Sequence, residues 1–289
     1  MKVKAPAKVN LTLYITGKDK KDGYHYIASV FDPVALSDTL EFISTKTGKI
    51  TVKDITGVLA IPMEKNIVYK AAKLLKDKYG IKKGVDIKLY KKIPDGAGLG
   101  GGSSDAAATL VGLNKFWKIG LNEKQLEKLA AKIGSDVPFF IKGKPAFVSG
   151  KGEKIKELQR NVKLYYVLVY APFKVSTKEA YALWDKEKGI KLTMDKAYIK
   201  ISIDMLAGKV NSARKQFLYN DFEKVIFRKH TSLRKTQLLI SAQEGCAGAG
   251  MSGSGCTIFG VFTSRAQAEK CFENICKKVR GKTFLTNSV

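Results

Sequence analysis

Histidine is almost missing from this chain, with only His25 and His230 in 289 residues. The four cysteines, Cys246, Cys256, Cys271 and Cys276, form no C-x-x-C pair. That scarcity removes the ligand spacings of a structural zinc site, and the cysteines read as reduced thiols of a reducing compartment. No stretch approaches the roughly eighteen consecutive apolar residues of a spanning helix. The opening Met1-Lys2-Val3-Lys4-Ala5-Pro6 leads into an alternating pattern without the apolar block of a signal peptide, so a cytoplasmic chain with no membrane partner is expected. Acidic residues are scarce too: 26 Asp and Glu stand against 52 Lys and Arg, a formal charge of +26. Such a surplus raises a nucleic-acid reading. The excess is mainly lysine, however, spread over the whole length, and arginine forks suited to guanine or bidentate phosphate contacts are few. A solvated lysine surface that draws in polyanionic small molecules is the plainer reading, with no specific nucleic-acid partner.

What is present is enough apolar material, 45% of the residues, for two modest cores. Val9, Leu11, Leu13 and Ile15 alternate with Asn10, Thr12, Tyr14 and Thr16, the period of a half-buried strand. Further strands are predicted over 26–34, 39–45, 85–91, 164–171 and 257–262, with a short one at the end. Helices are predicted over 66–79, 106–117, 123–133, 177–186, 233–243 and 265–279, the third ending at Gly134 as a left-handed stop. The segment 245–255 reads as a second glycine-rich loop. No repeat is visible at periods of about 20–50 residues. Strands and helices intermixed at hairpin spacing predict an α+β fold, not a doubly wound parallel sheet.

After Ile93-Pro94 the pattern breaks into Gly96-Ala97-Gly98-Leu99-Gly100-Gly101-Gly102-Ser103-Ser104-Asp105 and then into a helix. Glycine removes the side chains that would hold a ligand away from backbone N–H groups. Serine hydroxyls follow at a helix N-terminus, where the partial positive charge favours phosphate. It is neither a P-loop nor a dinucleotide fingerprint.

Pro94 through Ala107 resembles the phosphate-binding motif of the galactokinase, homoserine kinase and mevalonate kinase superfamily, P-x-x-x-G-L-G-G-G-S-S-D-A-A, at each fixed position. Pro6-Ala7-Lys8-Val9-Asn10 and Met251-Ser252-Gly253-Ser254-Gly255 resemble its first and third motifs, in the right order. The resemblance implies a two-domain α+β architecture. An N-terminal ATP-binding domain would span 1–160, a C-terminal ferredoxin-like domain contributing to the substrate site would span 161–289, and the active site would lie between them. It also implies that Pro94, Gly96, Gly98, Leu99, Gly100, Gly101, Gly102, Ser103 and Ser104 hold ATP phosphates, with Asn66 and Asn114 near the adenosine. Residue type alone leaves both asparagines open as cap or turn residues.

Asp22-Gly23-Tyr24-His25, Gly134-Ser135-Asp136-Val137-Pro138-Phe139, Val175-Ser176-Thr177 and Asn220-Asp221-Phe222-Glu223 resemble segments of the diphosphocytidyl-methylerythritol kinases within that superfamily. By resemblance Asp136 is the catalytic base and Lys8 its cationic neighbour. Asn10, Tyr24, His25, Tyr181, Ser252, Gly253 and Ser254 serve a substrate carrying a cytidine diphosphate, the two tyrosines closing on a cytosine. From residues alone Asp136 is equally a helix N-cap or turn residue, and Lys8 a solvated strand lysine. Magnesium is expected with ATP, its ligands unassigned; Ser104 and Asp105 are the nearest candidates and could instead cap the helix. The assembly reads as monomer or homodimer. The chain departs from the family over 186–241: Phe222 replaces the usual leucine, and no proline follows through 224–237. Two other readings stay open, a relative acting on homoserine or a phosphorylated mevalonate, and a basic RNA-binding protein.

Overall fold

The computed structural model describes residues 1–59, 61–187, 194–209 and 218–289. Its elements run β1 (Lys2–Lys18), β2 (His25–Thr45), β3 (Ile50–Asp54), α1 (Ile67–Lys78), β4 (Gly84–Tyr90), α2 (Gly101–Phe116), α3 (Glu123–Ala130), α4 (Val137–Lys142), β5 (Ala146–Gly150) and β6 (Lys154–Glu157). They continue with β7 (Tyr165–Tyr170), α5 (Thr177–Lys186), α6 (Lys196–Leu206), β8 (Tyr219–Asn220), α7 (Glu223–Lys229), α8 (Thr231–Ser241), β9 (Cys246–Ser252), β10 (Thr257–Phe262), α9 (Arg265–Cys276) and β11 (Lys282–Asn287). This is the predicted α+β mixture. The chain divides into two compact units, one of Met1–Ala7, Leu36–Asp95 and Gly100–Lys144, the other of Lys8–Ala35, Gly96–Leu99 and Pro145–Val289.

In the first unit, β4 pairs antiparallel with the second half of β2, from Thr39↔Tyr90 to Thr45↔Gly84, and parallel with β3. Val85, Ile87 and Leu89 alternate inward from β4, as their spacing predicts, and Val68, Ala71, Ala72 and Leu75 form the buried stripe of α1. Helix α2 is apolar nearly all round, with Ala106, Ala107, Leu110 and Leu113 fully buried, so it runs through this core and not across its surface.

The second unit holds two sheet segments. The first half of β2 pairs with β5, which pairs with β6, while β1 pairs parallel with β8 at Thr12↔Tyr219. The other segment is a four-stranded antiparallel sheet in the order β11-β7-β10-β9. Its core gathers Val167, Trp184, Phe222, Ile226, Ile240, Ile258, Phe262 and Ile275, together with Leu13 and Ile15 from β1.

Three sequence expectations are corrected. The separate strands at 26–34 and 39–45 are one continuous strand, β2, of 21 residues. Helix α3 ends at Ala130 on a helical Ala131, and Gly134 is not among the glycines with positive φ; the left-handed stop is Gly143 (φ 60), closing α4. The expected loop over 245–255 is mostly strand, since Cys246–Ser252 pairs with β10 up to Ser252↔Thr257. Glycine there marks close packing: a Cβ on Gly250 would meet Leu218 and Glu223 at 3.4 Å. In the divergent stretch, α7 runs on directly after Asn220-Asp221-Phe222 and breaks from α8 at His230. The parts of that stretch at 188–193 and 210–217 lie outside the described residues.

Gly112 carries a packing prediction. A Cβ there would stand 2.5 and 2.8 Å from the Phe42 ring and 3.3 Å from Val3. Gly112→Ala should therefore lose about 1–3 kcal/mol through overpacking, although alanine is the better helix former. A lowered denaturant midpoint at constant slope checks this; an unchanged or raised midpoint contradicts the packing of α2 on β2.

Candidate active site

Helix α2 begins at Gly101, five residues before the predicted start, so Gly101 to Asp105 form its first turns and not a loop. Its N-cap is Gly100 in the left-handed region (φ 70), with no side-chain cap, which leaves the first-turn N–H groups without an intrahelical partner. The two glycines after it answer to different constraints. A Cβ on Gly101 would press on Ile93 at 2.9 Å, whereas one on Gly102 would have nothing nearer than Ile67 at 3.9 Å. Gly101 is therefore demanded by packing, and Gly102 leaves space above an uncapped helix start. Ser104 donates its N–H to Gly100 O at 2.9 Å inside the helix, so neither Ser104 nor Asp105 caps it. Among the described residues, the buried Ser104 Oγ and Asp105 Oδ1 have no hydrogen-bond partner.

Asp105 belongs to a charge cluster that the sequence did not reveal. Lys91 Nζ donates to Asp38 Oδ2 at 2.5 Å and to Asp105 Oδ2 at 2.7 Å, all three residues being buried. Asp38 Oδ1 also accepts from the backbone N–H groups of Lys92 (2.5 Å) and Ile93 (2.8 Å), fixing the chain as it leaves β4. Burial, with Asp38 alongside, pushes the Asp105 carboxyl up to about 7 against the opposing pull of Lys91.

The other residues assigned in this unit are placed as follows. Asn66 is the N-cap of α1, its Oδ1 accepting from Val68 N at 2.9 Å. Asn114 clips the following turn with both ends of its amide, to Leu121 N and Leu121 O at 2.9 Å each. Asp136 stands at the N-cap position of α4, but its side chain makes no capping bond. The helix N-cap role that residue type alone allows is therefore not taken up.

In the second unit, Lys8 and Asn10 project from β1 and both are buried, Lys8 being 3% exposed. The solvated strand lysine is excluded. Lys8 Nζ donates to Asn10 Oδ1 at 2.5 Å and lies 4.6 Å from the centre of the Phe31 ring. Asn10 Nδ2 donates to Ser29 Oγ at 2.9 Å, which fixes the amide so that its oxygen faces the ammonium. Lys8 N donates to Leu99 O at 3.0 Å, and Ser252 Oγ donates to Gly98 O at 2.9 Å, so both neighbours grip the turn Gly96–Leu99. Gly98 has φ 74, and a Cβ on it would stand on the Ser252 carbonyl oxygen. Ser254 Oγ lies 3.1 Å from Thr177 Oγ1. The structure thus brings the first motif, part of the second and the third together.

His25 and Tyr181 meet directly, their rings stacked at 4.3 Å with 15° between planes, which leaves no room for a base between them. His25 Nε2 lies 2.7 Å from Asp185 Oδ1, and Asp185 also takes Lys18 at 2.6 Å. Hydrogen bonds from Lys18 and His25 hold the Asp185 carboxyl below its ordinary range in spite of partial burial. Tyr24 stands apart, 60% exposed, with Lys151 Nζ 5.7 Å above its ring. Sequence reasoning missed Asp185, although its place four residues after Tyr181 on α5 puts both on one helix face. It also gave no task to Asn220 and Asp221, whose side chains bind backbone: Asn220 Nδ2 donates to Met251 O, and Asp221 Oδ2 accepts from Ile15 N, each at 2.7 Å.

Lys91→Met should be strongly destabilising, by about 3–5 kcal/mol, because two buried carboxylates lose their cation. The sign with pH follows from the raised Asp105 carboxyl. A group raised by burial is tolerated below its unfolded value and costs stability as pH climbs through the folded one. The variant should therefore lie closest to the wild type near pH 5 and fall furthest behind near pH 8 in denaturant melts; equal loss at both contradicts the cluster.

The chain matches the model of the GHMP kinases N terminal domain over residues 66–144 and that of the GHMP kinases C terminal over 204–281. It is 36% identical to the 4-diphosphocytidyl-2-C-methyl-D-erythritol kinase of Clostridium beijerinckii, with 100% of both chains covered. It is 38% identical to that of Prochlorococcus marinus, covering 98% of this chain and 92% of the relative. A crystal structure of 4-(cytidine 5'-diphospho)-2C-methyl-D-erythritol kinase superposes with a TM-score of 0.84 at 30% identity, covering 100% and 99% of the two chains. A homoserine kinase from Cytophaga hutchinsonii shares the fold alone, with a TM-score of 0.78 at 20% identity, 100% of this chain and 94% of that one being covered. With relatives above the 30% level matched over nearly their whole length, and with the three motifs folded as described, the chain belongs to the 4-diphosphocytidyl-2-C-methyl-D-erythritol kinases, ATP-dependent enzymes of the GHMP kinase superfamily.

Proposed function

We propose that the chain transfers the terminal phosphoryl group of ATP to the 2-hydroxyl of 4-diphosphocytidyl-2-C-methyl-D-erythritol, a step of non-mevalonate isoprenoid synthesis. The observation that carries this reading is the uncapped start of α2, where Gly102 leaves open space beside free first-turn N–H groups. A triphosphate settles on such a helix end because the N–H groups and the dipole both favour negative charge. Asn66 and Asn114 remain assigned to the adenosine end on the family resemblance. Magnesium, when bound, spreads the charge on the phosphate oxygens; the orphan oxygens Ser104 Oγ and Asp105 Oδ1 are the hard donors that fit it. Among the described residues no cluster of three or more His, Cys, Asp and Glu offers another place.

Asp136 takes the proton of the acceptor hydroxyl, and Lys8 supplies the cation that stabilises the oxygen as it loses that proton. An ammonium withdrawn from water acts at full strength because no solvent screens it. Asn10 holds that ammonium in place. The cytosine is recognised by Tyr24, His25 and Tyr181. Since His25 and Tyr181 stack, the base lies on an outer face of the pair, and with Nε2 engaged by Asp185 the Nδ1 edge is left for its polar groups. Ser252, Gly253 and Ser254 belong to the substrate side of the same unit. The readings as a homoserine or phosphomevalonate kinase would leave His25 and Tyr181 without a ligand, and the RNA-binding reading leaves Lys8 buried for no purpose.

Three outcomes test this. Asp136→Asn should reduce kcat by about 10²–10⁴-fold with ATP affinity nearly intact, the scale of a positioned base; comparable turnover removes Asp136 from that role. Gly102→Ala should fold as well as the wild type or better, since helix propensity favours alanine by about 1 kcal/mol. It should nevertheless raise KM for ATP, and an unchanged KM would make the helix start structural. His25→Ala should lose about 10–10³-fold in kcat/KM on the cytidylyl substrate, as when hydrogen bonds to a buried polar edge go unmade. Calorimetry with CMP decides the last point: binding equal in wild type and variant would move the cytosine elsewhere.

A further inference from the structure

Strand β9 is an edge strand, so the outward N–H and C=O groups of Met251 lack a β partner on that side. Side chains from the segment Asn220-Asp221-Phe222-Glu223 take their place. Asn220 is 4% exposed and uses its whole amide on backbone. Its Nδ2 donates to Met251 O at 2.7 Å and to Gly253 O at 2.8 Å, while its Oδ1 accepts from Phe222 N at 3.0 Å. Glu223 Oε1 accepts from Met251 N at 2.7 Å, and Gln237 Nε2 holds its other oxygen at 3.2 Å. The carbonyls on both sides of Ser252 are thereby fixed.

Ser252 is the residue that this grip presents. Its Oγ donates to Gly98 O at 2.9 Å, and Asn10 N reaches the same hydroxyl at 3.4 Å. The two turns touch backbone to backbone: a Cβ on Gly253 would lie 3.0 Å from Gly98 O, and one on Gly98 would collide with Ser252 O. Movement of the Met251–Gly253 segment therefore passes directly into the turn Gly96–Leu99.

We propose that Asn220 and Glu223 are positioning residues for phosphoryl transfer, clamping the end of β9 so that Ser252 sets the conformation of the Gly96–Leu99 turn for ATP. This rests on the glycine segment being the triphosphate cradle. Neither residue touches ATP. Without Asn220 two buried carbonyls lose their donor, and the turn relaxes towards whatever pairing it can find.

The test combines steady-state kinetics with calorimetry of a non-hydrolysable ATP analogue on Asn220→Ala, Glu223→Ala, Glu223→Gln, Ser252→Ala, the Asn220→Ala/Ser252→Ala double variant and Gly102→Ala. Asn220→Ala should raise KM for ATP and weaken the analogue by about 5–50-fold, the scale of one or two buried acceptors left unpaired. Glu223→Gln keeps the acceptor for Met251 N and should restore affinity that Glu223→Ala loses, a distinction that bulk packing would not make. Because Asn220 acts through Ser252, the double variant should lose less than the product of the single losses. If Asn220→Ala does not fold, the Glu223 pair carries the test. Normal analogue affinity in both Gly102→Ala and Ser252→Ala overturns the cradle and the proposal with it. Impaired Gly102→Ala beside unimpaired Asn220→Ala and Glu223→Ala, or losses that simply multiply, overturns the positioning role alone.

Discussion

Withdrawing an ammonium from water is the most demanding thing this chain does. Among the described residues, Lys8 and Lys91 are the buried lysines. Each burial is tolerated only because oxygens are fixed around the nitrogen beforehand. The two solutions differ in how far along the chain the partners lie. Lys91 is matched by two carboxylates, which makes it a structural cation tying the exit of β4 to α2. Lys8 Nζ donates to Asn10, two residues along the same strand, and lies against the Phe31 ring.

The same contrast explains why the site was only partly legible in the sequence. Lys8 sits in a recognisable string, Ala7-Lys8-Val9-Asn10, and the strand period that places Val9, Leu11 and Leu13 on one face places Lys8 and Asn10 on the other. The period says nothing about whether that other face meets water. Asp38 and Lys91 are separated by 53 residues and carry no local pattern, so only the fold reveals that they meet. Asp185 was within reach, four residues beyond Tyr181 on a helix that the sequence marks clearly, but its meaning depends on His25, a contact across 160 residues. Local pattern gave the elements; partners distant along the chain gave the chemistry.

Glycine was the most misleading signal for the same reason. The sequence treats Gly96 to Gly102 and Gly245 to Gly255 as two loops, yet Gly101 and Gly102 are helical and Gly248 and Gly250 lie in a strand. A glycine is selected by what its missing Cβ would hit, which can be Ile93, the Phe42 ring, a carbonyl of another turn, or a ligand. Only the last of these is functional, and spacing along the chain cannot separate them. Gly102 stands out because its hypothetical Cβ meets almost nothing although its φ is not in the left-handed region that would itself ask for glycine.

The shortage of acids, first seen as a surface property, also shapes the interior. Several of the 26 acidic residues act as clips for backbone N–H groups: Asp38 for Lys92 and Ile93, Asp221 for Ile15, and Glu223 for Met251. A carboxylate bound in this way satisfies donors that β-sheet edges and helix starts leave open. Asp221 does this while its other oxygen meets Lys224 at 3.0 Å. The surplus of +26 is a matter of composition and remains around the molecule. For an enzyme whose two substrates both carry phosphate, that residual field has the sign that raises their local concentration, and it weakens with added salt while the buried clips do not.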